Sequence, residues 1–530
     1  MNADHTSRIG PLHPFNGLDV AELVRIRART RKDHPFLIWE PFEGRGETLS
    51  YGAFHDRVAR LSAGMAKRGI RPRDYVLIHL DNCLETLIAW YACADLGAVP
   101  VTTNARSSLD ELTYFADHCG AIAAITQPKF ADLVNRASKN FRFIAVTSHD
   151  NGAAPAAGHA PGKDSFEALY GEAADAPRRA IDPLHPMGVQ YTSGTTSRPK
   201  GVLWTHANAL WGARVNAVHE DLHADDTHLV YLPLFHTNAQ AYSILATLWA
   251  GSTAVVMPRF SASRFWPVSL RNHCTWTSLI PFCVKALMDI ERPSAHFYRL
   301  WGSAICEPPT DAHFGVKTIG WWGMTETITH GIVGDVHMPN TPLSCGRPAP
   351  EYGIHIEDEE GNPVKPGETG HLLVQGVRGL SLFAEYINNP QATADSFDER
   401  GLFRTGDRVT LQEDGSIRFS DRDKDMLKVG GENVAASEIE RVILTTPGVR
   451  EVAVVAKPHP MLDEAPVAFV IAEEAAAPSP EKLSAAILAA CKSTLADFKV
   501  PHEVRVVKDM PRSTLEKVAK AELRKLLKQD

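Results

Sequence analysis

Tyr75-Val76-Leu77-Ile78-His79-Leu80 is a short apolar run that follows an amphipathic stretch at residues 54–68. A run of this length reads as a buried strand, and the preceding stretch, apolar at helical spacing, reads as the helix that covers it. The alternation holds from residue 35 to about residue 103 and recurs at residues 121–126, 229–233 and 253–257, which gives an α/β class. No repeat of fixed period is present. The most apolar stretch, residues 84–103, contains Glu85 and Asp95 and spaces Leu84, Leu87, Ile88 and Tyr91 at helical intervals. It reads as a buried helix edge, not a membrane span.

Past Gly346 the strands shorten and glycine turns appear: Ile354-His355-Ile356, Gly361-Asn362, residues 371–375, and Asp414-Gly415 before Ile417. These predict a small β-rich lobe. Beyond Asp425 a compact α+β unit is expected, with helices at 437–444 and 481–495 and strands at 452–455 and 467–471. The charged run Asp421-Arg422-Asp423-Lys424-Asp425 separates it from the rest, as a solvated turn or a hinge. Residues 151–164, rich in Ala, Gly and Pro, form a surface connection.

A chain of 530 residues is long enough for several domain-sized units. Its net charge of −8 argues against nucleic acid as the main partner, because phosphate-backbone binding needs a basic face. The eight cysteines include no CxxC pair, so neither a zinc site nor a disulfide framework is implied. Residues 1–15 are polar and lack a signal-peptide pattern, so the expected location is cytoplasmic.

Chemistry concentrates in Tyr191-Thr192-Ser193-Gly194-Thr195-Thr196-Ser197-Arg198-Pro199-Lys200-Gly201. Glycine lets backbone N–H groups close on phosphate oxygens, the hydroxyls add neutral donors, and lysine adds a point charge. Pro199 ahead of Lys200 distinguishes it from a Walker A loop, which runs straight into a helix; a solvated Ser/Thr/Gly turn is the structural alternative. A strand at 316–320 leads into Trp322-Gly323-Met324-Thr325-Glu326, which offers a ring to stack a base and a carboxylate for Mg²⁺. A capped strand-to-loop junction would look the same. Thr405-Gly406-Asp407 suits ribose hydroxyls or a plain Asx turn. Lys517, before a basic amphipathic helix, is by itself one more surface lysine.

In this order, these segments resemble the adenylate-forming superfamily of acyl-CoA synthetases, luciferases and peptide-synthetase adenylation domains. The resemblance covers nearly the whole chain. It takes in the 191–201 loop, Pro233-Leu234-Phe235-His236, Gly302-Ser303-Ala304, Trp322 to Glu326, Gly346-Arg347-Pro348, Thr405-Gly406-Asp407, the 421–428 run, Gly430-Gly431-Glu432-Asn433-Val434, Ser437-Glu438-Ile439-Glu440 and residues 511–518. Within the superfamily, residues 260–266, 323–328 and 389–394 look most like bacterial crotonobetaine/carnitine–CoA ligases.

The resemblance implies a large N-terminal AMP-binding domain, residues 1–421, of α/β subdomains plus the β-rich lobe. A hinge at 422–425 centred on Lys424 and a mobile α+β domain at 426–530 would complete the chain. It also implies ATP, Mg²⁺ and coenzyme A as ligands, and acyl-AMP as the intermediate between a carboxylic acid and its thioester. On that reading Thr192, Ser193, Gly194, Thr195, Thr196 and Lys200 hold the β- and γ-phosphates. Glu326 and Thr195 place the metal. Trp322 stacks on adenine beside Gly302, Ser303 and Ala304, with Gly323, Met324 and Thr325 completing the nucleotide site. Asp407 takes the ribose with Arg422 assisting, and Lys517 bridges carboxylate and α-phosphate. Lys428 is grouped with the cofactor-binding residues, and Gly430-Gly431 would line the pantetheine tunnel after domain rotation.

Two positions depart from the family pattern: Glu516 stands where Gly usually precedes the catalytic lysine, and Trp322 replaces the usual Tyr. The acyl pocket is expected from Phe235, His236, Tyr242, Phe282, Trp301 and Trp321, a set suited to a carnitine-like cation or to a small alicyclic or aryl acid. Loading of a carrier-protein thiol, or weak catalysis in a nucleotide-binding homologue, are the competing readings. The partners are then small molecules, with no nucleic acid and no membrane span, and a homodimer is left open.

Overall fold

The computed structural model describes residues 13–156, 164–192, 199–422, 425–429, 432–459, 462–473, 479–495, 497–512 and 518–527. Two compact units emerge, the first made of residues up to 192, 199–353 and 376–395, the second of 354–375 and 396 onward.

The first unit is built on two sheets. A seven-stranded sheet runs in the order Glu385–Tyr386, Lys200–Thr205, Pro186–Thr192, Val99–Thr102, Tyr75–His79, Ala123–Thr126, Ile144–Val146. From Pro186–Thr192 onward its pairings are parallel. A nine-stranded sheet runs Arg347–Pro348, His330–Val333, Lys317–Gly323, Leu300–Ser303, Trp276–Ser278, Thr227–Val230, Thr253–Val256, Pro35–Trp39, Glu47–Ser50. It is parallel from Lys317–Gly323 to Pro35–Trp39 and antiparallel at both edges. Pro35–Trp39 therefore belongs to a different sheet from Tyr75–His79, although a single helix separates Tyr75–His79 from Glu47–Ser50, the hairpin partner of Pro35–Trp39.

Helices between the sheets serve both. Tyr51–Lys67 packs on Pro35–Trp39 and Glu47–Ser50, Leu84–Leu96 on the Tyr75, Val99 and Pro186 strands, and His206–His219 on strands of both sheets. In Leu84–Leu96 every residue except Glu85 is buried, which is why the sequence is apolar all round. Its two carboxylates are paired: Glu85 with His149 at 3.3 Å and Asp95 with Arg25 at 2.6 Å. Gly97, left-handed at φ 83°, ends the helix. The outer face of the seven-stranded sheet is covered by Leu109–Cys119 and Ala131–Ala137 through Leu112, Phe115 and Val134. On the nine-stranded sheet, Phe265 and Trp266 of Ala262–Arg271 pack on Trp301.

The second unit contains the antiparallel sheet Gly353–Glu357, Thr369–Gln375, Phe403–Leu411, Ile417–Arg422, the predicted β-rich lobe. It also contains a five-stranded sheet whose centre is the long hairpin Val449–His459 and Asp463–Ala472. Period-two alternation sends Val454, Ala468 and Val470 to one face, against Ala436–Leu444 and Pro480–Thr494. Val455, Val467, Phe469 and Ile471 go to the other, against Leu523 and Leu527 of Lys520–Leu527. The predicted helices and strands are all present, the first hairpin strand longer than its apolar stretch because pairing continues to His459. Among the described residues no helix is long and apolar enough to cross a membrane.

Gly64 marks the closest approach in the helical layer, since a Cβ there would lie 1.3 Å from the carbonyl oxygen of Leu169. Alanine is the better helix former by about 1 kcal/mol, but overpacking against backbone costs about 1–3 kcal/mol. Gly64→Ala is expected to lower stability in urea unfolding. A variant at least as stable as the parent would show that the 169–171 backbone yields.

Candidate functional site

Parallel sheets present their ligands at the carboxyl ends of the strands, and the motif residues of the first unit lie there. Thr192 closes Pro186–Thr192 and pairs with Lys200 across the antiparallel register Tyr191↔Gly201, Thr192↔Lys200. Ser193, Gly194, Thr195 and Thr196 lie outside the described residues. The base of their segment is fixed: Tyr191 packs on Phe115 with centroids 4.3 Å apart and bonds His118 at 2.9 Å, while Tyr114 donates to the carbonyl of Pro199 at 2.9 Å.

The strand Lys317–Gly323 delivers Trp321 and Trp322, then Met324, Thr325 and Glu326. It extends beyond the predicted 316–320 because Trp321–Gly323 pair with His330–Val333. Glu326 is 3% exposed. Its Oε1 accepts from the Tyr386 hydroxyl at 2.8 Å, and its carbonyl accepts from the Phe383 amide at 2.8 Å. Lys200 Nζ sits 4.1 Å from the centroid of the same Tyr386 ring. Thr325 is tied from two sides, its carbonyl accepting from Trp204 Nε1 at 2.9 Å and its hydroxyl 3.1 Å from that of Thr237, which donates to Gln190 Oε1 at 2.7 Å. Strand end, the turn after His236 and the Glu326 loop thus form one hydrogen-bonded array. His236 itself packs on Phe235 with rings 4.5 Å apart and tilted by 34°, and leads into a π-helix, Asn238–Leu245, a form frequent at functional sites.

Two glycines are sterically required. A Cβ on Gly323 would fall 2.4 Å from both the Tyr242 hydroxyl and the Thr329 carbonyl oxygen, and one on Gly302 would fall 1.8 Å from the Trp321 ring. Ile328 holds φ 65°, a strained value for a β-branched residue, in the turn after Glu326.

Trp321, which closes on Gly302, is part of a stack: 5.8 Å and 13° to Trp276, 4.2 Å and 6° to His330. Tyr242 meets His330 edge-on at 4.2 Å. Behind the stack Glu220 and His330, both fully buried, stand 3.8 Å apart. Burial pushes the Glu220 carboxyl well above the usual carboxylate range and His330 well below its usual value, so burial favours the neutral form of each. Of the other pocket residues, Trp301 points to the opposite face from Gly302 and packs on Phe265, Tyr298 and Phe314. Phe282 is 68% exposed, its ring 5.8 Å from Phe260. Ser303 is buried at the end of its strand and Ala304 is exposed.

In the second unit, Asp407 is buried, and its amide donates to Thr405 Oγ1 at 3.1 Å across Gly406, which takes φ 71°. Its backbone partner on the neighbouring strand is Arg422. Lys428 lies opposite Asn433 in the Met426–Val429 and Glu432–Ala435 hairpin. Lys424, Gly430, Gly431, Glu516 and Lys517 lie outside the described residues. The segment carrying Lys517 is closed at its base by the Arg512↔Val518 bridge and by the Ala519 amide on the Pro511 carbonyl at 2.7 Å. Tyr386, Gln190, Thr237, Glu220 and His330 were not among the predicted site residues. Tyr386 stands three residues before the 389–394 motif that sequence reading used, and just outside it.

Comparison with known proteins places the whole chain. The family model described as AMP-binding enzyme matches residues 24–387, and that of the AMP-binding enzyme C-terminal domain matches 438–517. A crotonobetaine/carnitine–CoA ligase of Escherichia coli is 33% identical over 508 residues, 92% of this chain and 95% of its own. ATP-bound MatB from Rhodopseudomonas palustris superposes with a TM-score of 0.81 at 25% identity, covering 96% of this chain and 99% of that one. The O-succinylbenzoate coenzyme A synthetase of Bacillus subtilis, solved with ATP and magnesium ion, gives 0.82 at 25% identity over 96% and 99%.

The Glu220 carboxyl stays protonated in the folded protein at pH values where the unfolded chain has ionised it. Its contribution to stability is therefore fully present below the ordinary glutamate pKa and is lost as pH rises toward the raised folded value. Glu220→Gln removes this dependence. Measured by denaturant unfolding, the stability of the variant relative to its parent should rise from pH 5 to pH 8, by up to about 1.4 kcal/mol per pH unit. A difference that stays flat would mean that Glu220 is ionised and paired with a protonated His330.

Proposed function

Because the chain belongs to the AMP-binding enzyme family and is an AMP-forming acid–thiol ligase, we propose that it activates a small carboxylic acid at the carboxyl ends of the first unit's strands and passes the acyl group to coenzyme A. One carboxylate oxygen attacks the α-phosphorus of ATP and pyrophosphate leaves. The CoA sulfur then attacks the acyl carbon, AMP leaves, and the thiol proton passes to solvent. Both steps gather negative charge at the α-phosphate, so positioning and electrostatics dominate. The observation that carries this reading is the placement of the buried Glu326 carboxylate and the Lys200 ammonium against one ring at the base of the 193–198 segment.

The donor set fits Mg²⁺, a hard cation that prefers carboxylate and phosphate oxygens. Glu326 and Thr195 would hold it, and when bound it neutralises phosphate charge. Thr192, Ser193, Gly194, Thr196 and Lys200 bind the β- and γ-phosphates. Trp322 stacks on adenine, Gly302, Ser303, Ala304, Gly323, Met324 and Thr325 shape its slot, and Asp407 with Arg422 takes the ribose. Lys517 bridges the reacting carboxylate and the α-phosphate. Residues 426–530 move about Lys424 between steps, exchanging Lys517 for Lys428, Gly430 and Gly431 beside the thiol. Their sheet has its own core on both faces, as a body that moves intact requires.

The acid is short, because Trp321 fills the space over Gly302. A carnitine-like quaternary ammonium acid is the first candidate, favoured by the E. coli relative and by the Trp321, Tyr242 and His330 rings; a small alicyclic or aryl acid is the second. The protein works in the cytoplasm, a location that suits eight cysteines all free and buried.

With ATP, Mg²⁺ and a panel of such acids, release of pyrophosphate and AMP is expected for at least one. Release of ADP and orthophosphate would overturn the reading. Lys517→Ala should cut acyl-AMP formation about a hundredfold or more and leave thioester formation from supplied acyl-AMP largely intact. Equal loss in both half-reactions would remove Lys517 from the adenylation step.

A further inference from the structure

We propose that Tyr386 is a positioning residue for adenylation, holding the Glu326 carboxylate with its hydroxyl and the Lys200 ammonium with its ring face. The inference rests on Glu326 and Lys200 meeting Mg²⁺ and phosphate as described above, and it assigns their alignment to a residue on a third element.

Strand register dictates the arrangement. Glu385–Tyr386 pairs antiparallel with Lys200–Thr205, placing Tyr386 opposite Val202 and Glu385 opposite Leu203. Side chains two residues apart share a face of a strand, so Lys200 projects on the same side as Val202 and lies diagonally across from Tyr386. The amide of Ala384 donates to the Leu203 carbonyl and that of Ile387 to the Gly201 carbonyl, both at 2.9 Å, so the register has no slack. Tyr386's own amide donates to Thr393 Oγ1 at 2.9 Å, and the ring, 3% exposed, packs on Phe383 at 4.6 Å.

From this fixed base the hydroxyl reaches Glu326 Oε1 at 2.8 Å, while Phe383, three residues earlier, donates its amide to the Glu326 carbonyl at 2.8 Å. One short segment, residues 383–386, thus fixes both the main chain and the carboxylate of Glu326. Above the ring plane, Lys200 Nζ at 4.1 Å from the centroid is within cation–π range. A lysine on a four-carbon stem has many rotamers; the aromatic face narrows them and aims the ammonium alongside the carboxylate. Opposite charges needed on one polyphosphate are thereby held at set positions before the nucleotide arrives, which is the preorganisation that positioning catalysis requires.

The test separates hydroxyl from ring. Tyr386→Phe keeps the face under Lys200 and deletes the bond to Glu326; Tyr386→Leu deletes both. Calorimetric titration with ATP, with and without Mg²⁺, gives the factor by which the metal tightens nucleotide binding. Tyr386→Phe should lower that factor about tenfold, equivalent to about 1.4 kcal/mol, with metal-free ATP affinity and melting temperature unchanged. Tyr386→Leu should also weaken metal-free ATP binding. In the half-reactions, Tyr386→Phe should slow acyl-AMP formation and raise its Mg²⁺ requirement, while thioester formation from supplied acyl-AMP proceeds at the parent rate. An unchanged metal factor in Tyr386→Phe would overturn the proposal, as would parallel loss of both half-reactions with a lowered melting temperature. Because the titration needs no acid substrate, its outcome stands apart from whether any acid releases pyrophosphate.

Discussion

Parallel strands are usable only when both faces are covered, since their side chains are apolar on both sides. In the first unit two largely parallel sheets share one helical layer, and that sharing is the constraint on which the remaining structure depends. Helix Leu84–Leu96 has no solvated side, so its two carboxylates survive only with His149 and Arg25 beside them. Glycine is forced where helix and loop backbones touch, as at Gly64. Polar chemistry is pushed to the carboxyl ends of the strands, where the chain leaves the apolar layers: Thr192, His236, Ala304 and Met324 to Glu326 all follow such an end.

At those ends the spacing between elements is set by contacts too tight for any larger residue. Trp321 occupies the volume a side chain at position 302 would need, and Tyr242 and Thr329 close on Gly323. The Gln190, Thr237 and Thr325 hydroxyl and amide array then links the two sheets' strand ends by hydrogen bonds of 2.7 and 3.1 Å. Backbone strain at Ile328 sits in the same loop as Glu326. A loop so constrained holds its carboxylate in one place, which is what an electrostatic site needs.

Much of this was legible in the residues. Apolar runs marked the strands, and the apolar helix with its two acids was read as buried. Ordered motifs gave the family, which the full-length relatives bear out. What sequence could not carry were distances between segments far apart in the chain. Pro35–Trp39 and Tyr75–His79 look alike, and only the partners available to each send them to different sheets. Trp301 and Trp321 both read as pocket aromatics, yet alternation turns Trp301 away from the face on which Gly302 meets Trp321; that fact was available from the adjacency of 301 and 302. Glu220 and His330 lie 110 residues apart with no motif to join them, and Tyr386 reads as an ordinary edge-strand tyrosine until its hydroxyl is seen on Glu326.

The charged junction shows how a pattern that looks solvated becomes structural. Asp421 is buried and accepts the Ser437 amide at 3.1 Å, at the start of Ala436–Leu444, where an acid also favours the helix dipole. Asp425 is held by Arg524 at 2.8 Å. Lys520, largely buried, bonds Glu440 at 2.8 Å; burial alone would lower its pKa, but Glu440, Asp421 and Asp425 together outweigh it and raise the value. Arg524 and Lys520 both lie on Lys520–Leu527, the helix that follows the segment carrying Lys517. The acids at the entry of this α+β body and the helix leaving the Lys517 segment therefore form one electrostatic cluster. Asp425 in the charged run and Glu440 thus anchor the same helix, so the junction and the start of Lys520–Leu527 share a single set of charges.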